Sequence, residues 1–258
     1  MSNSPAPADS LGMMYQGGKT RIAAPIAEIL ERGPLLGHSL YVEPFLGSAA
    51  VFSRVAPHYP QAVGADAMPD LVMLWQDVLD GWVPPEDLSP EEYQALRDAE
   101  PSALRAFAGF PCSFGGKWFG GYARDPKSDR NFARTASRSI VRRGLSIGTS
   151  PDVEIVQSDY RDLGDLMGPG TVVYCDPPYA NTLAYAGAGA FDSHTFWRTA
   201  ADWHDRGAVV LVSEYTAPGG WVEVWSADRH VSTALDNSGK RATDRLFLVP
   251  DDALAWGL

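Results

Sequence analysis

Between positions 40 and 79 the sequence alternates between extended and helical patterns. Leu40–Val42 is a short apolar strand, which a Gly/Ser turn at 44–49 joins to the small-residue start of a helix. A second strand is predicted at 61–66 and a second helix at Pro69–Leu79. Strand, helix, strand and helix at this spacing indicate a βαβ unit, whose strands run parallel. The chain is therefore predicted to be an α/β protein with a parallel sheet.

The rest of the chain suggests one sheet with a long insertion. After position 150 the alternation resumes, with strands predicted at 153–156, 171–175, 208–212, 222–225 and 245–249 and a helix at 193–205. The intervening segment instead has two short helices (90–99 and 102–110), a Gly/aromatic stretch (114–122) and a basic helix (130–143). We predict a sheet domain from residues 11–81 and 151–258, a mainly helical insertion at 82–150, and a disordered tail at 1–10.

The tetrapeptide Asp176-Pro177-Pro178-Tyr179 directly follows a predicted apolar strand. Each proline fixes its own φ and biases the preceding residue towards extended geometry, so the nearby carbonyls are held in place. A carboxylate and a carbonyl beside an aromatic ring suit a planar group carrying an NH2, such as the exocyclic amine of a nucleobase. The alternative is a proline-terminated strand with a capping Asp and a packing Tyr.

Polar groups also follow three other predicted strands. The turn at 44–49 precedes a helix, where backbone amides favour an anionic or polar ligand. Asp66 ends the second strand, and a carboxylate about 20 residues after such a turn commonly binds ribose hydroxyls. Asp159 and Tyr160 follow the strand at 153–156. The carboxyl ends of parallel strands line one crevice, so these groups predict a nucleoside cofactor. A plain βα turn and a helix cap are the alternatives for the first two.

The charge of the chain is unevenly distributed. The net charge is −11, yet residues 112–150 hold eight Lys and Arg against two Asp, a net of +6 that leaves −17 elsewhere. A basic segment can contact phosphates even when the whole protein is acidic. The alternative is an ordinary solvated helix face.

Several other classes of protein are disfavoured by the sequence. No apolar run approaches the roughly 18 residues that a membrane span requires. The N-terminus has no features of a signal peptide. The two cysteines, Cys112 and Cys175, are far apart, and the five histidines are scattered without the spacing of metal ligands. We expect a cytoplasmic protein without a metal site.

The order and spacing of these motifs resemble the D12 class of DNA adenine-N6 methyltransferases, the Dam-like group. The resemblance runs nearly end to end, through residues 15–19, 41–52, 65–66, 158–160, 173–179, 210–215 and 238–246. It implies a Rossmann-like methyltransferase sheet, mostly parallel with a late antiparallel strand, and S-adenosylmethionine as cofactor. Residues 82–150 would be the target-recognition insertion. Ala49 departs from the pattern because glycine is frequent there, and the Gly/aromatic stretch differs from that of the best-known members.

The resemblance also implies roles for single residues. Lys19 would face the methionine carboxylate of the cofactor, and Asp66 would bind its ribose. Asp159 and Tyr160 would lie against its adenine. The full set of cofactor-binding residues implied in this way is Tyr15, Gly18, Lys19, Phe45, Gly47, Ser48, Asp66, Asp159, Tyr160 and Asp176.

The substrate implied is double-stranded DNA with one adenine flipped out of the helix. The catalytic residues would be Asp176 and Pro177, which accept the N6 hydrogens, and Tyr179, which stacks on the base with help from Phe191. The residues expected to contact DNA are Lys117, Arg124, Arg130, Arg134, Arg138, Lys240 and Arg241. A cognate restriction nuclease would be a further partner, and the sequence does not identify one.

Two kinds of alternative remain open at this point. One is methylation of a different amine, namely cytosine N4, adenine in RNA or a glutamine amide in protein. Those families favour Ser or Asn where this chain has Asp176, so the Asp favours adenine in DNA. The other alternative is a catalytically silent DNA-binding relative.

Overall fold

A seven-stranded sheet organises the protein in the computed structural model. The structure describes residues 13–31, 37–124, 130–178, 191–233 and 236–258, with the backbone alone at 229–233 and 236–242. The strands are β1 (Leu40–Glu43), β2 (Gln61–Asp66), β3 (Val153–Gln157), β4 (Thr171–Cys175), β5 (Val209–Glu214), β6 (Val222–Thr233) and β7 (Asp236–Leu248). Their order is β3-β2-β1-β4-β5-β7-β6.

The first five strands pair with one another in parallel, whereas both pairings of β7 are antiparallel. β1 pairs with β2 and β4, β2 with β3 and β4 with β5, all in parallel, whereas β7 pairs antiparallel with both β5 and β6. The predicted fold class, a mostly parallel Rossmann-like sheet with late antiparallel pairing, is confirmed. The central strand β4 is buried along its whole length, which explains its unbroken apolar sequence.

Helices cover both faces of the sheet. They are α1 (Ala23–Leu30), α2 (Phe52–Val55), α3 (Pro69–Leu79), α4 (Pro90–Arg97), α5 (Ala103–Gly109), α6 (Phe132–Ile147), α7 (Ser193–Asp205) and α8 (Pro250–Trp256). The bounds of α3, α7 and β4 are those predicted from the sequence. None of these helices, within the residues described, is long and apolar enough to cross a bilayer.

The last two strands are much longer than predicted. The apolar pattern indicated only 222–225 and 245–249, the parts of the two strands that pair with each other beside β5. The pairing of β6 with β7 continues outward from Ser226↔Arg245 to Thr233↔Asp236. The sequence there is polar and lacks alternation, so the hairpin could not be recognised from hydrophobic periodicity. The pattern also gave no indication of α8.

The segment predicted as an insertion, residues 82–150, packs on the same apolar core as one face of the sheet. Phe107, Phe110 and Ile140 from the insertion belong to one buried cluster with Tyr41 of β1 and Trp75 of α3. A separate cluster on the other sheet face is formed around Val42, Val173 and Val210, with α7 covering it. The insertion therefore packs directly against the elements that lead to the candidate site.

Candidate active site

The carboxyl ends of β1, β2, β3 and β4 meet at one edge of the sheet. Pairing places Glu43 beside Gly64 and Asp66 beside Gln157. Two further hydrogen bonds join the segments beyond these ends: Leu46 N donates to the Ala65 carbonyl at 2.8 Å, and Ser158 N donates to the Asp66 carbonyl at 3.1 Å. The strand ends at which the sequence predicts a crevice are thus neighbours in the sheet.

The turn after β1 has an unusual backbone that several neighbours hold in place. Gly47 and Ala49 both have positive φ, +46° and +50°. Gly47 N donates to Asp66 Oδ2, and its carbonyl accepts from the indole of Trp75, both at 2.9 Å. A Cβ at Gly47 would lie 3.1 Å from the ring of Tyr15, so close packing as well as φ favours glycine. The structure therefore places Tyr15 against this turn.

Asp66 has a structural role in addition to its predicted one. Oδ2 accepts from Gly47 N, and Oδ1 accepts from Met68 N at 2.9 Å. Burial raises the pKa of Asp66, and these backbone hydrogen bonds oppose that effect. Each carboxylate oxygen can accept a second hydrogen bond, so ribose hydroxyls can still bind there. Binding of ribose by Asp66 remains a prediction.

Lys19 and Asp176 form a close ion pair beside these strand ends. The Lys19 Nζ to Asp176 Oδ1 distance is 2.5 Å, and the side chains are only 6% and 21% exposed. Lys19 was expected to face a cofactor carboxylate, and the structure places its ammonium on a carboxylate of this chain. The contact with the cofactor therefore remains a prediction. A charged pair with this little exposure holds its geometry better than a surface pair, since solvent screens it less.

Aromatic rings cluster around Tyr160, just after β3. The ring of Tyr160 lies 5.3 Å from Phe45, 6.0 Å from Phe191 and 5.8 Å from Phe196, measured between centroids. Phe45 and Phe191 are only partly buried. The cluster therefore presents apolar ring surface of the kind that stacks on a planar heterocycle. It contains Phe45 and Tyr160, which were predicted for the cofactor, and Phe191, which was predicted for the flipped base.

Asp159 lies next to this cluster as an ionised group. Its carboxylate accepts from Arg161 N at 2.9 Å and forms an ion pair with Arg161 Nε at 2.8 Å. The hydrogen bond from the Arg161 guanidinium lowers the pKa of Asp159. The residue also begins the short 3-10 helix Tyr160–Leu166. Its predicted contact with the cofactor adenine stays a prediction.

The catalytic prediction is only partly within the described residues. Asp176 and the buried Pro177 follow β4 as expected, whereas Tyr179 lies outside the described residues. Glu43 was missed in the sequence. It is 3% exposed and accepts a 2.5 Å hydrogen bond from Tyr41. Burial raises its pKa well above the usual range; the Tyr41 hydrogen bond lowers it, and the nearby charge of Asp176 adds to the rise. An acid at the end of an apolar strand was the available signal.

The candidate DNA-binding residues have varied surroundings. Two of them, Arg134 and Arg138 on α6, form ion pairs with Glu86. The distances from Nε to the Glu86 carboxylate oxygens are 3.2 Å for Arg134 and 3.1 Å for Arg138. Arg130 lies over the ring of Phe132 and Lys117 is exposed. Arg124 lies over the ring of Tyr122, 5.3 Å from its centroid. Lys240 and Arg241 belong to β7, where the backbone alone is described. Their contact with DNA stays a prediction.

Phe114 is an exposed aromatic residue that the sequence did not single out. It is 62% exposed and begins a loop that is closed by a bridge between Ser113 and Tyr122 and by a 2.7 Å hydrogen bond from Phe114 N to the Gly121 carbonyl. Gln16 N donates to the Gly116 carbonyl at 2.9 Å, which joins this turn to the segment that carries Lys19. The Gly/aromatic stretch was the only sequence signal.

The described residues contain no cluster of three or more His, Cys, Asp or Glu side chains able to hold a metal ion.

Among solved structures, the rRNA methyltransferase aviRa from Streptomyces viridochromogenes is similar over 95% of this chain and 90% of its own, with 15% identity and a TM-score of 0.44. A precorrin-6y C5,15-methyltransferase from Geobacter metallireducens is similar over 89% and 88%, with 8% identity and a TM-score of 0.39.

Sequence comparison gives one family match. No curated protein is significantly similar to this chain. The family match covers the segment that contains Tyr15, Lys19, the turn after β1 and Asp66, and it ends before Asp176. Residues 15–101 match the model of the D12 class N6 adenine-specific DNA methyltransferases, which confirms over that segment the resemblance predicted from the sequence.

Proposed function

We propose that this protein transfers a methyl group from S-adenosylmethionine to N6 of a flipped-out adenine in DNA. The observation that carries the proposal is the pairing of Lys19 with Asp176 at 2.5 Å. This contact joins the segment that matches the D12 family model to the Asp-Pro-Pro motif, which lies outside it. The family match supports a methyltransferase, and the acceptor geometry at Asp176 supports an exocyclic amine as its substrate.

The residues around the turn after β1 fit the proposed cofactor. Asp66 offers carboxylate oxygens for ribose hydroxyls, and the partly exposed ring of Phe45 offers a surface for adenine. Gly18 lies against the same turn, since a Cβ there would be 3.6 Å from Ser48 Oγ. When bound, S-adenosylmethionine supplies an electrophilic methyl group on a sulfonium sulfur. The protein must then hold and orient the amine that receives it.

Asp176 and Pro177 would act on the amine. The lone pair of adenine N6 is delocalised into the ring, so N6 is a weak nucleophile. Hydrogen bonds from N6 to the Asp176 carboxylate and the Pro177 carbonyl would draw this lone pair back onto nitrogen. The carboxylate would also stabilise the positive charge that develops on N6 before the proton is lost. Lys19 holds Oδ1 of this carboxylate and so fixes its orientation.

DNA is favoured over the other substrates by two features. The matching family is described as specific for adenine in DNA, and the insertion carries the basic segment of the chain. Cytosine N4, adenine in RNA and a protein amide remain the alternatives of the same reaction class. A silent DNA-binding relative is disfavoured because the acceptor carboxylate and its lysine are both present and in contact.

The direct test uses tritiated S-adenosylmethionine with unmethylated DNA, total RNA and a protein extract in parallel reactions. We expect tritium in the DNA alone, and nucleoside analysis should find it in N6-methyladenine. Label in cytosine, RNA or protein would refute the proposed substrate, and no transfer to any of the three would refute the enzyme. Sequencing the modified positions in plasmid DNA then gives the target site.

Phe114 is expected to occupy the gap that a flipped base leaves. Apolar side chains inserted between base pairs unstack them, and aromatic stacking on a base contributes about 1–3 kcal/mol. Phe114→Ala should therefore raise the KM for target DNA roughly 5- to 150-fold, with cofactor affinity unchanged. It should also reduce 2-aminopurine fluorescence at the mapped site. Leu145→Ala is the control, because Leu145 is also exposed, at 71%, but lies on α6. Equal effects of both changes would contradict this role.

A further inference from the structure

One arginine of the insertion reaches into the candidate cofactor site. Arg143, on α6, is 9% exposed. Its Nη1 donates to the Ser48 carbonyl, and its Nη2 donates to Thr20 Oγ1 at 2.9 Å. Ser48 belongs to the turn after β1, and Thr20 directly follows Lys19. A single guanidinium therefore links the two segments that carry most of the predicted cofactor contacts.

The turn needs such a link because of Ala49. This residue has φ +50°, a left-handed conformation that glycine adopts readily and alanine does not. The Ser48 carbonyl lies between Gly47 and Ala49, which both have positive φ. A donor fixed on this carbonyl opposes rotation of the peptide that would return Ala49 to negative φ. Arg143 therefore compensates for the methyl group at a position where glycine would hold the turn unaided.

The helix that carries Arg143 is itself firmly placed. Ser146 Oγ donates to the Ser53 carbonyl at 2.6 Å, and Met13 N donates to Ser139 Oγ at 3.2 Å. Gly144 packs closely on α3, since a Cβ there would lie 2.2 Å from Val78 Cγ1. Positions 139, 143 and 146 recur at helical spacing, so they share one face of α6. This face positions the guanidinium.

We propose that Arg143 is a positioning residue of the cofactor site, which holds the turn after β1 in its binding conformation. The inference rests on the proposed function for the identity of the cofactor. It adds that the insertion is required for cofactor binding as well as for contact with DNA. It also assigns a role to a basic residue that the sequence analysis counted only as part of the basic segment at 112–150.

The test measures S-adenosylhomocysteine binding by calorimetry without DNA, and transfer kinetics with it. Arg143→Met should raise the dissociation constant about 10- to 100-fold. At saturating cofactor, kcat should stay within about threefold of wild type. General destabilisation of the protein would not lower cofactor affinity while leaving kcat unchanged. Adding Ala49→Gly to Arg143→Met should recover at least about fivefold in affinity, because glycine needs no support at positive φ. Arg142→Met, an exposed neighbour on the same helix, should bind like wild type.

Three results would overturn the inference: unchanged affinity in folded Arg143→Met, no recovery on adding Ala49→Gly, or an equal loss in Arg142→Met. If Arg143→Met does not fold, as judged by circular dichroism, Arg143→Lys replaces it, because lysine keeps the charge and one donor nitrogen. This variant should lose less affinity for S-adenosylhomocysteine, and Ala49→Gly should reverse that loss as well. Wild type that binds S-adenosylhomocysteine but methylates no DNA would refute the proposed substrate alone. Wild type that does not bind it would refute both.

Discussion

Replacing Asp176 by alanine is expected to reduce methyl transfer roughly 1,000-fold, with cofactor binding retained. The variant would lack the carboxylate that is proposed to accept the N6 hydrogens and to stabilise the charge that develops on N6. Losing one such preorganised group typically costs about 100- to 1,000-fold in kcat. Transfer is measured with tritiated cofactor, and binding with S-adenosylhomocysteine.

Two further variants make the Asp176 result specific. Asp176→Asn keeps the shape and one acceptor oxygen but loses the negative charge, so its activity should lie between those of wild type and Asp176→Ala. Asp202→Ala is the control, since Asp202 is exposed on α7 and pairs with Arg206 at 2.8 Å. Surface pairs of this kind contribute about 0–1 kcal/mol to stability. Normal turnover in Asp176→Ala would eliminate Asp176 as the acceptor.

Replacing Lys19 by methionine is expected to lower kcat about 100-fold at saturating cofactor. The Lys19 ammonium lies 2.5 Å from Asp176, so its loss removes the cation that orients a carboxylate of 21% exposure. If Lys19 acts mainly through Asp176, the dissociation constant for S-adenosylhomocysteine should change by less than about threefold. Steady-state transfer and calorimetry on one preparation separate the two parameters.

The same experiment decides between two contacts of Lys19. A salt bridge to the cofactor carboxylate, as predicted from the sequence, would appear as a rise of about 10- to 100-fold in the dissociation constant with kcat little changed. Combining Lys19→Met with Asp176→Asn should cost less than the sum of the single changes, because the two residues act as one unit. Arg21→Met, an exposed change two residues away, is the control.

The strand ends could be predicted from the sequence because their signal is local. A parallel sheet leaves the polar residue after each apolar strand at the same edge, so Asp66, Asp159 and Asp176 could be assigned to one crevice. The family match over residues 15–101 agrees with the motifs found near the N-terminus. Strand and helix bounds followed wherever burial imposes an apolar pattern, as in β4 and α3.

The contacts that complete the site could not be predicted in this way. Lys19 and Asp176 are 157 positions apart, and no periodicity links them. Arg143 counted as one of eight basic residues in a basic segment, although it is buried and donates to the turn. Glu43 was hidden because an acid at the end of a strand also suits an exposed position. Each of these contacts depends on tertiary packing, which residue type alone does not specify.

Under the proposed function, the core that the insertion shares with the sheet would restrict how target specificity can change. Gly144 fits against Val78 with no room for a Cβ, and Ser146 and Arg143 bond to backbone carbonyls of the sheet domain. An insertion taken from another protein would have to reproduce all three contacts to keep the turn after β1 in place. If the insertion reads DNA as proposed, new target sequences would therefore be reached most readily by substitutions on its solvent side, while its inner face stays constant.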